Sequence, residues 1–217
     1  MSILTLQLSL GIFFFGTIVF LHIAKKNLGA SLAYGLQSLI ITTILFLGYF
    51  FETGDISLLF IALLVLIVKV IVASLFFIKL IQKYELTFSA STYLNTPLTL
   101  MVIAILTFIA HSQKFSPLTE ILPANQTLLA LALSSIFVSL FLIINRKGVL
   151  SQIIGILSFE NSIVAFAIFA NLEQSLMFQL GIIFDIFIWL VITTVFVSMI
   201  HKHFGSLDIT SMKSLKD

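Results

Sequence analysis

The stretch that decides the fold class runs from Ile56 to Gln82 and reads ISLLFIALLVLIVKVIVASLFFIKLIQ. Apart from Lys69 and Lys79, it contains almost only apolar and small residues. At a rise of about 1.5 Å per residue, a helix of this length exceeds the roughly 30 Å hydrocarbon core of a bilayer. The stretch therefore predicts a transmembrane helix that carries one charge, Lys69, near its middle.

The rest of the chain has the same character. Of 217 residues, 60% are hydrophobic and only 9% are charged, and the mean hydropathy is +1.21. Soluble domains carry about a quarter charged residues, so the composition predicts a polytopic membrane protein. The net charge of +2 gives no support for a nucleic-acid partner. Because cysteine is absent, the chain supplies no disulfide, Cys-ligated zinc or iron–sulfur cluster.

Polar breaks divide the sequence into seven apolar runs, which predicts an all-α protein with about seven transmembrane helices. These runs lie near residues 3–24, 28–51, 56–82, 94–111, 124–145, 148–170 and 175–200. The first has no basic residue before it and is longer than the core of a signal peptide, so we expect it to be a spanning helix. The fourth begins with YLNTPL, where Asn95 is the expected N-cap and Pro97 lies in the first turn.

The basic residues indicate the orientation of the helices. All but two of the eleven Lys and Arg residues end or follow the first, third, fifth and seventh runs. The opposite side holds Lys114 together with Glu52, Asp55, Glu120 and Glu173. The positive-inside rule then predicts an N-terminus outside the cell and a C-terminus in the cytoplasm.

The sequence predicts a single transmembrane domain over residues 1–217. Within it, the segment Lys25–Ile40 resembles Asn145–Glu160, with Gly35 aligned to Gly155. This weak repeat predicts two related three-helix units in the same orientation, joined by one connector helix. The expected parts are residues 1–83, the connector 94–111, the second unit 124–200 and a cytoplasmic tail 201–217.

Three charged residues fall within the predicted hydrocarbon: Lys69, Glu160 and Asp185. Each costs about 2.5–3.5 kcal/mol at the centre of a membrane helix. Counted at about 1.5 Å per residue from the ends of their helices, all three lie near the midplane. We expect the antiparallel sixth and seventh helices to bring Glu160 and Asp185 close together. The partner of Lys69, within the chain or in a neighbouring subunit, stays open at this point.

Two interpretations of these charges stand side by side. A buried lysine and buried carboxylates can exchange protons, because burial favours the neutral forms whereas opposite charges favour the ionised forms. Buried pairs can instead fix the register of packed helices. No spacing of His, Asp and Glu suggests a metal site, and no motif indicates covalent catalysis. The sequence therefore predicts no enzymatic activity, metal or cofactor in this chain alone.

The sequence around Glu160 resembles a known family. RKGVLSQIIGILSFENSIVAFAIF, residues 146–169, is similar to the segments of the complex I subunit NuoK and the antiporter subunit MrpC in which paired basic residues lead through a glycine to a membrane glutamate. The closer resemblance is to HyfE, component E of hydrogenase-4-type complexes, and it extends to LLVLIVKVIV around Lys69 and YLNTPL around Asn95. The matching motifs are GxxxxEN (Gly155, Glu160, Asn161), LGxxxD (Leu180, Gly181, Asp185) and SLDxxxxxxLK (Ser206, Leu207, Asp208, Leu215, Lys216).

The resemblance implies a seven-helix subunit in the membrane arm of group 4 nickel–iron hydrogenases and formate hydrogenlyases, located in the cell inner membrane and surrounded by lipid. Its implied partners are antiporter-like and NuoH-like membrane subunits and a peripheral hydrogenase-type module. Glu160 and Asp185 would correspond to the two membrane carboxylates of NuoK, Lys69 to the lysine of the N-terminal half, and Asn161 and Asn95 to supporting polar residues. Against NuoK itself, Glu160 and Asp185 are each displaced by about one helical turn, which leaves their equivalence as an expectation.

Overall fold

The computed structural model describes residues 3–86, 92–172 and 176–204 of the chain. Over these ranges the protein is helical and contains no strand, apart from one isolated bridge between Thr92 and Arg146. The predicted all-α class is therefore confirmed for this part of the chain.

The helices follow the apolar runs of the sequence. The α-helices are α1 (Ile3–Ile23), α2 (Asn27–Gly48), α3 (Ile56–Val65), α4 (Ser74–Lys83), α5 (Thr96–Ala110), α6 (Ser116–Thr119), α7 (Gln126–Asn145), α8 (Val149–Phe169) and α9 (Leu176–Phe204). Two π-helical segments interrupt this order: Tyr49–Thr53 extends α2, and Leu66–Ala73 joins α3 to α4. The stretch Ile56–Lys83 is therefore one continuous helix with a π-helical middle.

Five helices among the described residues are long and apolar enough to cross a membrane: Ile3–Ile23, Asn27–Phe51, Ile56–Lys83, Pro123–Asn145 and Val149–Phe169. Their length and composition indicate a multi-pass membrane protein. α5 has only 15 residues and is bent by 54° from the segment Gln113–Thr119, so this pair adds a sixth span only if both parts cross together. α9 covers the seventh predicted run. The count of seven spans stays a prediction.

The centre of the bundle is formed by α2 and α8. In their most apolar windows, 67% of α2 and 61% of α8 is buried, compared with 28% for α1 and for Ile56–Lys83. α8 packs against α7 and α2, and α1 packs against α2 and α7. Gly155 permits the close approach of α8 to α7, because a Cβ there would lie 3.1 Å from Cγ1 of Ile143.

One helix start recurs along the chain. Val149, which begins α8, lies 122 residues after Asn27, which begins α2. This spacing is what two related three-helix units would show. The division of the chain into such units stays a prediction.

One end of the bundle is held together by Arg146, and we call it the Arg146 end. The guanidinium is buried and donates hydrogen bonds to the carbonyl oxygens of Leu21 and Ala24, where α1 ends. A cation is favourable there because the last carbonyls of a helix carry partial negative charge. Burial lowers the pKa of the Arg146 guanidinium below its ordinary value. Its position between α7 and α8 thus ties the loop after α7 to the end of α1.

The predicted start of the fourth helix is confirmed. Oδ1 of Asn95 accepts a hydrogen bond from the backbone N–H of Leu98 at 3.0 Å, and a proline lies in the first turn of α5. Asn95 therefore acts as an N-cap, which satisfies a backbone donor that the helix itself leaves without a partner.

Candidate functional site

Lys69 lies in the π-helical middle of the Ile56–Lys83 helix, and only 1% of the residue is exposed. A π-helix bonds each residue to the fifth along the chain, and such wide turns occur mostly as short interruptions that are frequent at functional sites. The local sequence LIVKVIVA contains no proline or glycine that would force an irregular turn. We therefore attribute the π-helical segment to tertiary contacts of this helix, among which those of Lys69 are the most polar.

Lys69 forms a buried ion pair with Glu160 of α8. Nζ of Lys69 donates to Oε1 of Glu160 at 2.8 Å and to Oδ1 of Asn161 at 2.9 Å. The Lys69 side chain is 2% exposed and that of Glu160 is 14% exposed. The two charges compensate each other within the bundle. This pairing offsets the high free-energy cost of burying an isolated charge in an apolar medium.

Asn161 connects the ion pair to α2. Its Nδ2 donates to Oε1 of Gln37 at 3.3 Å and to Oγ of Ser38 at 3.1 Å. Nε2 of Gln37 then donates to Oγ of Ser158 at 2.9 Å, so the chain of bonds returns to α8. Both amides donate through nitrogen and accept through oxygen, and this pattern fixes their orientation.

A second set of hydroxyls links α8 to α7. Oγ of Ser162 donates to the carbonyl oxygen of Ser158 at 2.9 Å and lies 3.2 Å from Oγ of Ser139. These serines and Asn161 are fully buried. The polar layer therefore joins the central helices α2 and α8 to α7 and to the π-helical segment.

The arrangement places one proton donor directly on one proton acceptor. Lys69 offers only N–H donors and an ionised carboxylate offers only acceptors, so Nζ and Oε1 form a charge-assisted hydrogen bond. Asn161 and Gln37 do not titrate. Asn161 accepts a hydrogen bond from Lys69 directly, and Gln37 holds Asn161 in place by accepting from its Nδ2. The site therefore holds two opposite charges in direct contact within a layer of amide and hydroxyl groups.

The structure brings together three of the predicted site residues: Lys69, Glu160 and Asn161. Asn95 forms the cap of α5 described above. The backbone of Asp185 belongs to α9, but its side chain lies outside the described part of the structure, so its predicted approach to Glu160 stays a prediction. Where side chains are described, no cluster of three His, Cys, Asp or Glu residues could hold a metal ion.

Sequence reasoning did not single out Gln37, Ser38 or Ser158 for this site. Gln37 carries a usable signal, because a long amide side chain within an apolar run needs a buried partner. Ser38 and Ser158 carry little signal, since small residues are common wherever membrane helices pack closely.

Asn161 tests how far the network stabilises the bundle. Asn161→Leu removes the second acceptor of Lys69 and leaves Oε1 of Gln37 without its donor. Buried polar groups that lose their partner cost about 1–3 kcal/mol each, so we expect unfolding in mixed micelles to become easier by about 2–4 kcal/mol.

Ser135→Ala is the matched control, because the Ser135 hydroxyl donates only to the carbonyl oxygen of Leu131. Its expected cost is about 1 kcal/mol or less. Equal costs for Asn161→Leu and Ser135→Ala would show that the amide network adds nothing specific to stability.

Comparison with models of protein families, with curated proteins and with solved structures gives no significant match. The likeness to HyfE therefore stays a prediction from the motifs quoted above.

Proposed function

We propose that this chain is a non-catalytic subunit in the membrane arm of a group 4 nickel–iron hydrogenase, a formate hydrogenlyase or a related complex. In this proposal it is a HyfE-like subunit of the cell inner membrane, with its N-terminus outside and its C-terminus in the cytoplasm. Its partners are antiporter-like and NuoH-like membrane subunits and a peripheral hydrogenase-type module. The chain contributes to proton or sodium translocation and holds no cofactor of its own.

The observation that supports this proposal is the Lys69–Glu160 pair. Ionisable residues inside membrane spans are costly, and where they occur they commonly mark the pathways of ions and protons. Here a lysine and a carboxylate meet at 2.8 Å in the polar layer that joins the central helices. The Glu160 side chain keeps 14% exposure, whereas its Oε2 atom is buried. Asp185 would extend the pathway along α9.

The alternative is a structural scaffold, and one observation favours it. Lys69 bonds to both Glu160 and Asn161, and Asn161 in turn bonds to Gln37 and Ser38. Such a network fixes the register of the helices without any movement of charge. Under this alternative the site holds the complex together and takes no part in ion transport.

The first test is the composition of the native complex. We expect the affinity-tagged chain, purified in mild detergent from its own membranes, to bring with it large antiporter-like membrane proteins and a hydrogenase-type module. Mass spectrometry of the purified complex identifies these partners, and an untagged strain serves as the control.

A chain that purifies without partners and transports ions after reconstitution into vesicles would be a stand-alone transporter, and the proposal would be wrong. Purification without partners and without transport would also contradict it. If the partners are present, the role of the Lys69–Glu160 pair is decided by the transport measurements argued in the Discussion.

A further inference from the structure

Three hydroxyl groups on α2 and α4 are buried without a hydrogen-bond partner: those of Ser31, Tyr34 and Ser74. Ser31 and Tyr34 are fully buried and Ser74 is 9% exposed. Buried polar groups in proteins are almost always paired, and the exceptions call for a cause such as an ordered water. Three such hydroxyls in one region therefore point to a common ligand.

The three hydroxyls belong to two helices that face each other. Ser31, Tyr34 and Ser38 lie at positions i, i+3 and i+7 and so share one face of α2. Gly35 lies on the same face, and a Cβ at Gly35 would lie 2.7 Å from Oγ of Ser74 on α4. The missing side chain of Gly35 thus leaves a notch in α2 that receives the Ser74 hydroxyl.

A contact between rings joins the same two helices. Tyr34 meets Phe77 of α4 edge to face, with ring centroids 6.1 Å apart and an angle of 88°. This contact holds the Tyr34 ring against α4 and its hydroxyl within the bundle. We call the region between Ser31, Tyr34, Gly35 and Ser74 the hydroxyl recess.

The recess adjoins the ion pair. The Tyr34 hydroxyl lies close to Ser38 and within electrostatic range of Glu160, but it forms no well-aligned hydrogen bond. Ser38 accepts from Asn161, which also binds Lys69. Because a π-helix bonds residues five apart, Ser74 lies about one turn from Lys69, on the side of the Arg146 end.

We infer that the hydroxyl recess binds internal water and supplies protons to the Lys69–Glu160 pair from the Arg146 end. Ser31, only four residues into α2, would begin this path, and Ser74 and Tyr34 would continue it to the ion pair. The binding of water follows from the buried hydroxyls themselves, whereas the delivery of protons rests on the proposed function. Water has the right chemistry as the ligand, since it can donate to and accept from hydroxyls at once.

Hydroxyl-radical footprinting tests the recess without any transport assay. Short X-ray radiolysis of the purified native protein or complex generates radicals from water, including water bound inside the protein, and mass spectrometry locates the oxidised side chains. We expect Tyr34 to be modified several-fold faster than Phe14, although both are almost completely buried. Phe14 is the reference because it lies in the apolar core between α1 and its neighbours.

Two variants of Ser74 show whether the water lies in the recess. Ser74→Val replaces the hydroxyl in the notch beside Gly35 by a methyl group, and Ser74→Ala removes the hydroxyl without a replacement. We expect either variant to lower the modification rate of Tyr34 towards that of Phe14. Ser135→Ala, on α7, is the matched control and should leave the rate unchanged.

Modification of Tyr34 at the rate of Phe14 in the native protein would overturn the inference, because the recess would be dry. Unchanged Tyr34 modification in both Ser74 variants would overturn it as well, since the water would then lie elsewhere. A dry recess in a protein whose Glu160 is needed for transport would leave the proposed function intact. If the recess binds water but the assembled complex transports no ions, the proposed function and the supply of protons are wrong. The binding of water by the recess would still stand.

Discussion

Glu160→Gln is expected to lower coupled proton or sodium translocation by about tenfold or more, which corresponds to about 1.4 kcal/mol or more in the barrier. Glutamine has nearly the same shape and can still accept a hydrogen bond from Lys69, so the complex should assemble. It cannot carry a negative charge or take up a proton at neutral pH, so the proton exchange that the proposal assigns to Nζ and Oε1 would be lost. Ion uptake into inverted membrane vesicles, divided by the amount of assembled complex, measures the effect.

Glu120→Gln is the matched control for this change. Glu120 follows α6 on the exposed surface, so loss of its charge should leave transport and assembly unaffected. If Glu160→Gln translocates ions at the rate of the unchanged protein, the carboxylate of Glu160 is not part of a relay. Failed assembly without a transport defect in the remaining complex would instead support the scaffold alternative.

The helices were largely predictable from the sequence because the thickness of the bilayer sets their length. The run predicted near 148–170 is the helix Val149–Phe169, and the run near 56–82 is Ile56–Lys83. The fourth run gives only the 15 residues of α5, since the chain bends sharply just after that helix ends. The orientation of the bundle depends on the membrane and is still an inference from the charges.

The composition of the site was only partly predictable. A constant rise per residue places Lys69 and Glu160 at similar depths, and the structure shows that they meet. Depth does not say which helices are neighbours, so the pairing of two residues 91 positions apart could not be predicted. The π-helical turn at Lys69 could not be predicted from the sequence either. An apolar, largely β-branched segment such as LIVKVIVA has no local preference for a π-helix.

Lys69→Met is expected to be the most destabilising single change at the site. Methionine keeps the length of the side chain but removes the charge, which leaves the carboxylate of Glu160 buried without its cation. Breaking one side of a buried ion pair costs about 3–5 kcal/mol in soluble proteins, and protonation of Glu160 would bring the cost to the lower end. Reversible unfolding in mixed micelles measures this loss in the free energy of unfolding.

The double variant Lys69→Met with Glu160→Leu separates the two interpretations of the pair. Because it removes both charges and fills the space with apolar atoms, we expect it to recover most of the stability that Lys69→Met loses. A relay then predicts a complex that assembles and does not translocate, since no titratable pair is left at this position. A scaffold predicts that assembly and translocation recover together. Restored translocation in the double variant would therefore contradict the relay. If stability returns but translocation stays lost, Lys69 and Glu160 handle ions in addition to packing the helices.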